Sequence, residues 1–272
     1  MEQKRILTIQ DISCLGRCSL TVAHPILSLC GHEAAILPTA ILSTHTGGFS
    51  DPVFHPIGAD LCAIGEHWAR EGIHFDAILT GYLGTVEAVR AVQTMARKLL
   101  APQGLLIVDP AMAEHGKMYS GLSEAYGKAI GDLCSQADIL IPNVTEAAML
   151  AGQPWHKVPV EEYVRGLMDA LKCDCVILTG VGFRPEETGV AVLDAGVYSH
   201  YPQKKLPGNY HGTGDIFAAC FTGVLLRGKS WEEAARLSAD FTARCIAMTP
   251  PEAPRRNGVH FEKALPWLSE RL

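Results

Sequence analysis

Leu105, Leu106, Ile107 and Val108 form an unbroken apolar run. A strand with one wet face alternates apolar and polar side chains. A run without alternation belongs to a strand buried on both faces, as in the parallel sheets of α/β proteins. Comparable short runs recur at residues 5–9, 34–37, 77–80, 139–141 and 176–179. Helical spacing fills some of the intervals, at 20–30, where Gly31 provides a stop, and at 86–100. This order predicts βαβ units, and so an α/β fold with a mostly parallel central sheet flanked by helices. Residues 189–201 change to polar–apolar alternation around Gly196, which predicts an antiparallel hairpin at the sheet edge. A chain of 272 residues suits one such domain, residues 1–272, with room for a small flap.

In an open parallel sheet, ligands sit beyond the carboxyl ends of the strands. Asp11, Thr80-Gly81-Tyr82, Asp109, Asn143 and Thr179-Gly180 all fall at or just after predicted strand ends. Turns attract Asp, Asn and Gly for their own reasons. The number of polar strand ends nevertheless favours a polar site there.

The segment His211-Gly212-Thr213-Gly214-Asp215 precedes an apolar stretch, 216–226, that reads as a buried helix. Free N–H groups and the positive end of the dipole make a helix N-terminus an anion site, and glycine lets a phosphate come close. A carboxylate there repels a phosphoryl group unless it accepts a proton from an attacking hydroxyl, the general-base role of phosphoryl transfer. The four residues alone read equally well as a capped helix start, with Thr213 or Asp215 as the cap. Asn143 and Glu146 also have two readings. Three apart, they share the first turn of a helix. They form either a capping-box variant or a pair in which Glu146 holds Mg²⁺ directly or through water. Asp109 is a second carboxylate for the metal region, or a turn residue before proline.

Composition narrows the function classes. A formal net charge of −6 gives no general attraction to nucleic acid or to an anionic membrane. No apolar run approaches the ~20 residues of a membrane span, and the run after Met1–Arg5 is too short for a signal-peptide core, so a cytoplasmic protein is expected. The nine cysteines lack zinc-site spacing and read as reduced, packed thiols. The Walker A, protein-kinase, His-Glu-x-x-His and Gly-x-Ser-x-Gly patterns are all missing.

Several blocks together resemble the pyridoxal kinase (pyridoxine/pyridoxamine kinase) branch of the ribokinase-like superfamily. They are Leu7-Thr8-Ile9-Gln10, Ser43-Thr44-His45-Thr46-Gly47, Leu79-Thr80-Gly81-Tyr82, Asp109-Pro110, Gly116-Lys117-Met118-Tyr119, the stretch 137–147 with its Pro142-Asn143-Val144-Thr145-Glu146, and 212–219. The resemblance implies a ribokinase-like three-layer sandwich, usually dimeric. It also implies phosphorylation of the 5′-hydroxymethyl group of a B6 vitamer by ATP with Mg²⁺, a monovalent cation such as K⁺ being a further candidate. Asp215 would be the base and the backbone of Gly212, Thr213 and Gly214 the anion hole. Asp109, Asn143 and Glu146 would organise Mg²⁺ and phosphates, and Tyr119 and Thr179 would line the nucleotide side. His45, Thr46 and Tyr82 would hold the pyridine ring. Independently of the resemblance, the segment 44–56, rich in Gly, His and Pro, is expected to form a flap over the substrate, since closure would keep water from the phosphoryl group.

This chain departs from the family pattern around the ring. Asp11 replaces a usual serine facing the pyridine nitrogen, Cys18 a usual valine, and His211 a small apolar residue before the anion hole; Glu114 stands where aspartate is common. A carboxylate at position 11 would form a charge-assisted bond to a protonated ring nitrogen, or change the substrate. Two alternatives follow. One is a kinase of the same fold acting on hydroxymethylpyrimidine. The other is a vitamer-binding protein without catalysis, against which the intact Asp215, Asn143 and Glu146 speak.

Overall fold

A computed structural model describes residues 3–272, so Met1 and Glu2, part of the stretch judged too short for a leader, lie outside the described residues. The strands are β1 (Arg5–Leu15), β2 (Glu33–Thr44), β3 (Phe54–Pro56), β4 (Phe75–Thr80), β5 (Leu100–Val108), β6 (Ala113–Glu114), β7 (Lys117–Met118), β8 (Ile139–Leu140), β9 (Cys175–Thr179), β10 (Glu187–Asp194) and β11 (Val197–Lys204). The helices are α1 (Leu20–Leu29), α2 (Gly58–Arg70), α3 (Val86–Leu99), α4 (Glu124–Cys134), α5 (Val144–Leu150), α6 (Glu161–Ala170), α7 (Thr213–Leu225), α8 (Trp231–Ala247) and α9 (Leu265–Ser269).

Nine strands form one sheet in the order β11-β10-β9-β8-β5-β4-β1-β2-β3. The six from β9 to β2 are parallel, and β10, β11 and β3 are added antiparallel at the edges. The expected edge hairpin is present, turning at Ala195-Gly196 with φ of 46° and 82°. The unalternating runs behave as the pattern requires. Leu106 and Val108 enter the core on one face of the sheet and Ile107 the core on the other; Ile78 and Leu79 divide the same way. Helices α2 to α6 cover the first face, and α1, α7, α8 and α9 the second. The result is the expected three-layer sandwich. Each fully buried Leu, Ile or Val stabilises it by roughly 1.5–3 kcal/mol.

From β1 the chain crosses to β2 on one side and later returns to β4 on the other side. That reversal opens a crevice beyond the carboxyl ends of β1 and β4, where Asp11 and Thr80-Gly81-Tyr82 lie. Two strands outrun the sequence pattern: β2 continues past residue 37 to Thr44, and β1 does not stop at Ile9 but runs on to Leu15. Asp11 therefore lies inside the strand, at a register shift between Gln10 and Ile12. A bulge of this kind re-aims side chains beside a site.

Candidate active site

Helices α1 and α7 pack side by side, and their N-termini meet at the carboxyl edge of the sheet. Asp215, in the first turn of α7, is half-buried and accepts a 2.9 Å hydrogen bond from the Ser19 amide at the start of α1. Burial pushes its pKa up to about 6; the Ser19 bond opposes the rise and the nearby Asp11 adds to it. A carboxylate in that range is ionised at neutral pH and basic enough to take a proton.

The capping question for α7 is answered by geometry. Its N-cap is Gly212, and no side chain caps the helix. Neither Thr213 nor Asp215 plays the part that the local pattern allowed; the Thr213 hydroxyl donates instead to the Tyr210 carbonyl. Gly212 is held at φ 81°, and a Cβ there would lie 2.0 Å from the Arg17 carbonyl oxygen. Gly214 differs: a Cβ on it would meet no atom within 4 Å. The protein itself leaves space above the second glycine.

Asn143 and Glu146 form the capping box, and more. The Asn143 Oδ1 accepts from the amides of Thr145 and Glu146, at 2.8 and 3.0 Å, while its Nδ2 donates to the Ala113 carbonyl. Glu146 is buried and accepts from the amides of Met112, Ala113 and Asn143 at 2.9, 3.3 and 2.9 Å. Burial raises its pKa to about 7 against those three bonds. Asp109, also buried, is raised well above the carboxylate range by burial first, then by the charges of Glu146 and Asp215. Among the described residues no Lys or Arg pairs with Asp109, Glu146 or Asp215. No group of three or more His, Cys, Asp or Glu side chains suited to a metal occurs among them either. Two neighbouring buried carboxylates without a cation partner fit Mg²⁺, which takes few protein carboxylates and completes its shell with phosphate oxygens and water.

Of the residues expected to line a nucleotide, Tyr119 is half-buried beyond β7, and Thr179 ends β9 beside Asn143, donating its amide to the Pro142 carbonyl at 2.9 Å. On the other side of Asp215, Asp11 is buried and accepts from the Ser13 hydroxyl at 2.9 Å; burial raises its pKa. Cys18 is buried, and burial and the two aspartates push its thiol up, so it is a packed thiol beside the site. Tyr82 is half-buried near Asp11. His45 is buried rather than a surface loop residue. Its Nδ1 accepts from the Gly47 amide, which leaves Nε2 to donate to the Arg256 carbonyl. Both ring nitrogens are engaged, so only the ring surface remains for a ligand. His211 lies tilted against it, centroids 4.8 Å apart, over Gly47; burial and His45 lower its pKa. Thr46 is exposed.

The structure thus gathers Asp11, Cys18 and Asp215 around one point, with Asp109 and Glu146 on its far side. Sequence inspection did not single out Ser19, whose amide holds Asp215. A serine before a helix signals a cap, and nothing local reveals a contact 196 residues away. A shallow cavity of about 320 Å³ between α7 and α8, lined by Lys229, Arg236, Asp240 and Arg271, is at the opposite end of α7 and takes no part.

Comparison with known proteins places the chain in a family. The phosphomethylpyrimidine kinase family model matches residues 27–259. A pyridoxine/pyridoxal/pyridoxamine kinase of Bordetella avium is 29% identical over 259 residues, covering 90% of this chain and 85% of its own. The crystal structure of pyridoxal kinase from Lactobacillus plantarum superposes with a TM-score of 0.91 at 32% identity, covering 99% of this chain and 98% of that one. The chain belongs to the pyridoxal kinase family, of ribokinase-like fold. A protein of Bacteroides thetaiotaomicron assigned as a phosphomethylpyrimidine kinase, in a crystal form with pyridoxal, gives a TM-score of 0.93 at 31% identity, covering 98% of this chain and 96% of that one. The sequence-derived fold class and family are therefore both correct.

Proposed function

We propose that this pyridoxal kinase family member transfers the γ-phosphoryl group of ATP to the 5′-hydroxymethyl group of a vitamin B6 vitamer. The observation that carries the reading is Asp215, raised in basicity and fixed by Ser19, beside the uncapped N-terminus of α7. The acceptor hydroxyl gives its proton to Asp215 as its oxygen attacks the γ-phosphorus, whose bond to the β–γ bridging oxygen breaks to release ADP. The N–H groups after Gly212 receive the charge on the phosphoryl oxygens. Mg²⁺ held by Asp109 and Glu146, directly or through water, would neutralise phosphate charge. Asn143, Tyr119 and Thr179 border the nucleotide. Asp11, Cys18, His45, Thr46, Tyr82 and His211 surround the vitamer ring, with His45 contributing its ring surface.

Exposed apolar side chains of Ile41, Val53 and Phe54 lie at the β2–β3 edge and support a homodimer. Among the described residues no helix is long and apolar enough to cross a membrane. All nine cysteines are free, which accords with a reducing cytoplasm.

Hydroxymethylpyrimidine is the second reading, favoured by the family model's description and the assignment of the Bacteroides protein. Turnover of pyridoxal, pyridoxine, pyridoxamine and hydroxymethylpyrimidine with MgATP separates the two; absence of any B6 turnover would sink the first. Asp215→Asn should lose turnover by several powers of ten, at about 1.4 kcal/mol of barrier per tenfold, while nucleotide binding measured by calorimetry survives. Undiminished turnover would refute the base assignment.

A further inference from the structure

Ser19 occupies an uncommon place for a serine. Its φ of 50° and ψ of −134° lie in a region that glycine enters freely and L side chains avoid. It is buried, and it sits at the N-cap of α1, where a serine hydroxyl normally accepts from the first-turn amides. Here no such capping bond forms. The backbone is turned instead so that the Ser19 amide reaches the Asp215 carboxylate at 2.9 Å, and the hydroxyl faces the Asp11 carboxyl. The Ser13 hydroxyl reaches the same Asp11 carboxyl at 2.9 Å. One residue thus bonds a carboxyl in the first turn of α7 through its amide and lies beside a second, at the β1 bulge, with its hydroxyl.

We propose that Ser19 is a positioning residue with two separable functions. Its amide, aimed by the left-handed backbone, occupies Asp215 Oδ2 and so turns the other oxygen toward the acceptor hydroxyl. Its hydroxyl, with that of Ser13, fixes the Asp11 carboxyl that borders the acceptor ring. The inference rests on Asp215 acting as base and on Asp11 lining the acceptor pocket. Any residue at this position supplies an amide, but only one tolerating φ of 50° supplies it in this direction. Serine combines that amide with a hydroxyl, at the cost of an unfavourable backbone conformation. A chain selected for folding alone has no use for the combination, since the hydroxyl caps nothing.

The two functions predict a split between kcat and KM. Ser19→Gly suits the backbone angle and keeps the amide but loses the hydroxyl. It should raise Tm, hold kcat near the wild-type value and raise the KM for the acceptor while leaving that for ATP unchanged. Ser19→Thr keeps the hydroxyl but is β-branched and resists positive φ. It should lower kcat on the order of a hundredfold, the scale of a misplaced reacting group, with acceptor KM less affected. A fold measured intact by its melting curve and by calorimetric ATP binding is required of both. Equal losses of kcat in the two variants, or no change of kcat and acceptor KM in either, would overturn the proposal. The amide bond itself is read by NMR: the Ser19 amide proton should move upfield in Asp215→Asn. That measurement does not depend on catalysis. If Asp215→Asn kept its turnover, the base assignment would fail while the amide shift still decided whether Ser19 holds residue 215. An unmoved Ser19 resonance would overturn the positioning claim alone.

Discussion

Gly212 and Gly214 are two residues apart and are glycine for different reasons. At Gly212 the protein demands it, through a φ of 81° and the Arg17 carbonyl 2.0 Å from any Cβ. At Gly214 the protein demands nothing, and in a helix glycine costs about 0.5–1 kcal/mol relative to alanine. What remains to explain Gly214 is the close approach of a ligand. Gly214→Ala should therefore melt at or slightly above the wild-type temperature and lose most of its phosphoryl transfer. Gly212→Ala should lose stability first, by about 1–3 kcal/mol of backbone strain and displacement. Thermal melts beside initial rates test this, and a Gly214→Ala enzyme with undiminished turnover would remove the phosphate cradle from the mechanism. Carboxylates are common at turns and helix starts, so Asp215, Asp109 and Glu146 could be found in the sequence only because several such positions fall together at strand ends and within blocks resembling one family. Ser19 could not, because its distinction is a backbone angle and a tertiary bond.

At the level of elements, the buried strands were legible and their limits less so. The runs at 77–80 and 105–108 have no polar alternation, so their burial on both faces shows in the composition itself. β1 and β2 extend well past the predicted 5–9 and 34–37, because beyond those points polar residues are admitted by the site and the edge rather than by the core. The two-residue strands β6 and β7 carry too little pattern to be seen, yet their hairpin bears Glu114 and leads to Tyr119. The segment 44–56, the expected flap, is tied down at both ends. Phe54–Pro56 is tied to β2 as an edge strand, and His45 is anchored to the Arg256 carbonyl. Residues 46–52 join these two anchors, with Phe49 edge-on to the His45 ring and beneath Arg256. A bound acceptor should order them, because closure keeps water from the phosphoryl group. Limited proteolysis should cut within 46–52 in the free protein and slow when vitamer and nucleotide are added. Cleavage at the same rate in both states would assign the segment a fixed role.

For the whole molecule, the site is a cost to the fold. Asp109, Glu146 and Asp215 all titrate above their ordinary range, chiefly because burial disfavours their charged forms, and no basic side chain among the described residues offsets it. A folded pKa above the unfolded one means that the native state holds the proton more tightly. The stability associated with that proton is present in full below the unfolded pKa and is lost as the pH rises through the folded one. For Asp215 the window runs from the ordinary aspartate value of 3.8 up to about 6. Asp215→Asn removes the titrating group and keeps an oxygen for the Ser19 amide. In ligand-free protein its gain in stability over wild type should be largest near pH 8, on the order of 1–3 kcal/mol after allowing for the half-exposure of the side chain, and should shrink as the pH falls through 6 toward 4. Comparing the two proteins at each pH cancels the carboxylates remote from Asp215. A variant that is less stable than wild type at pH 8, or a gain that does not change with pH, would show that Asp215 is not held against its own desolvation. With the expected sign, the same substitution that ends turnover strengthens the fold, as a carboxylate kept for chemistry rather than for stability requires.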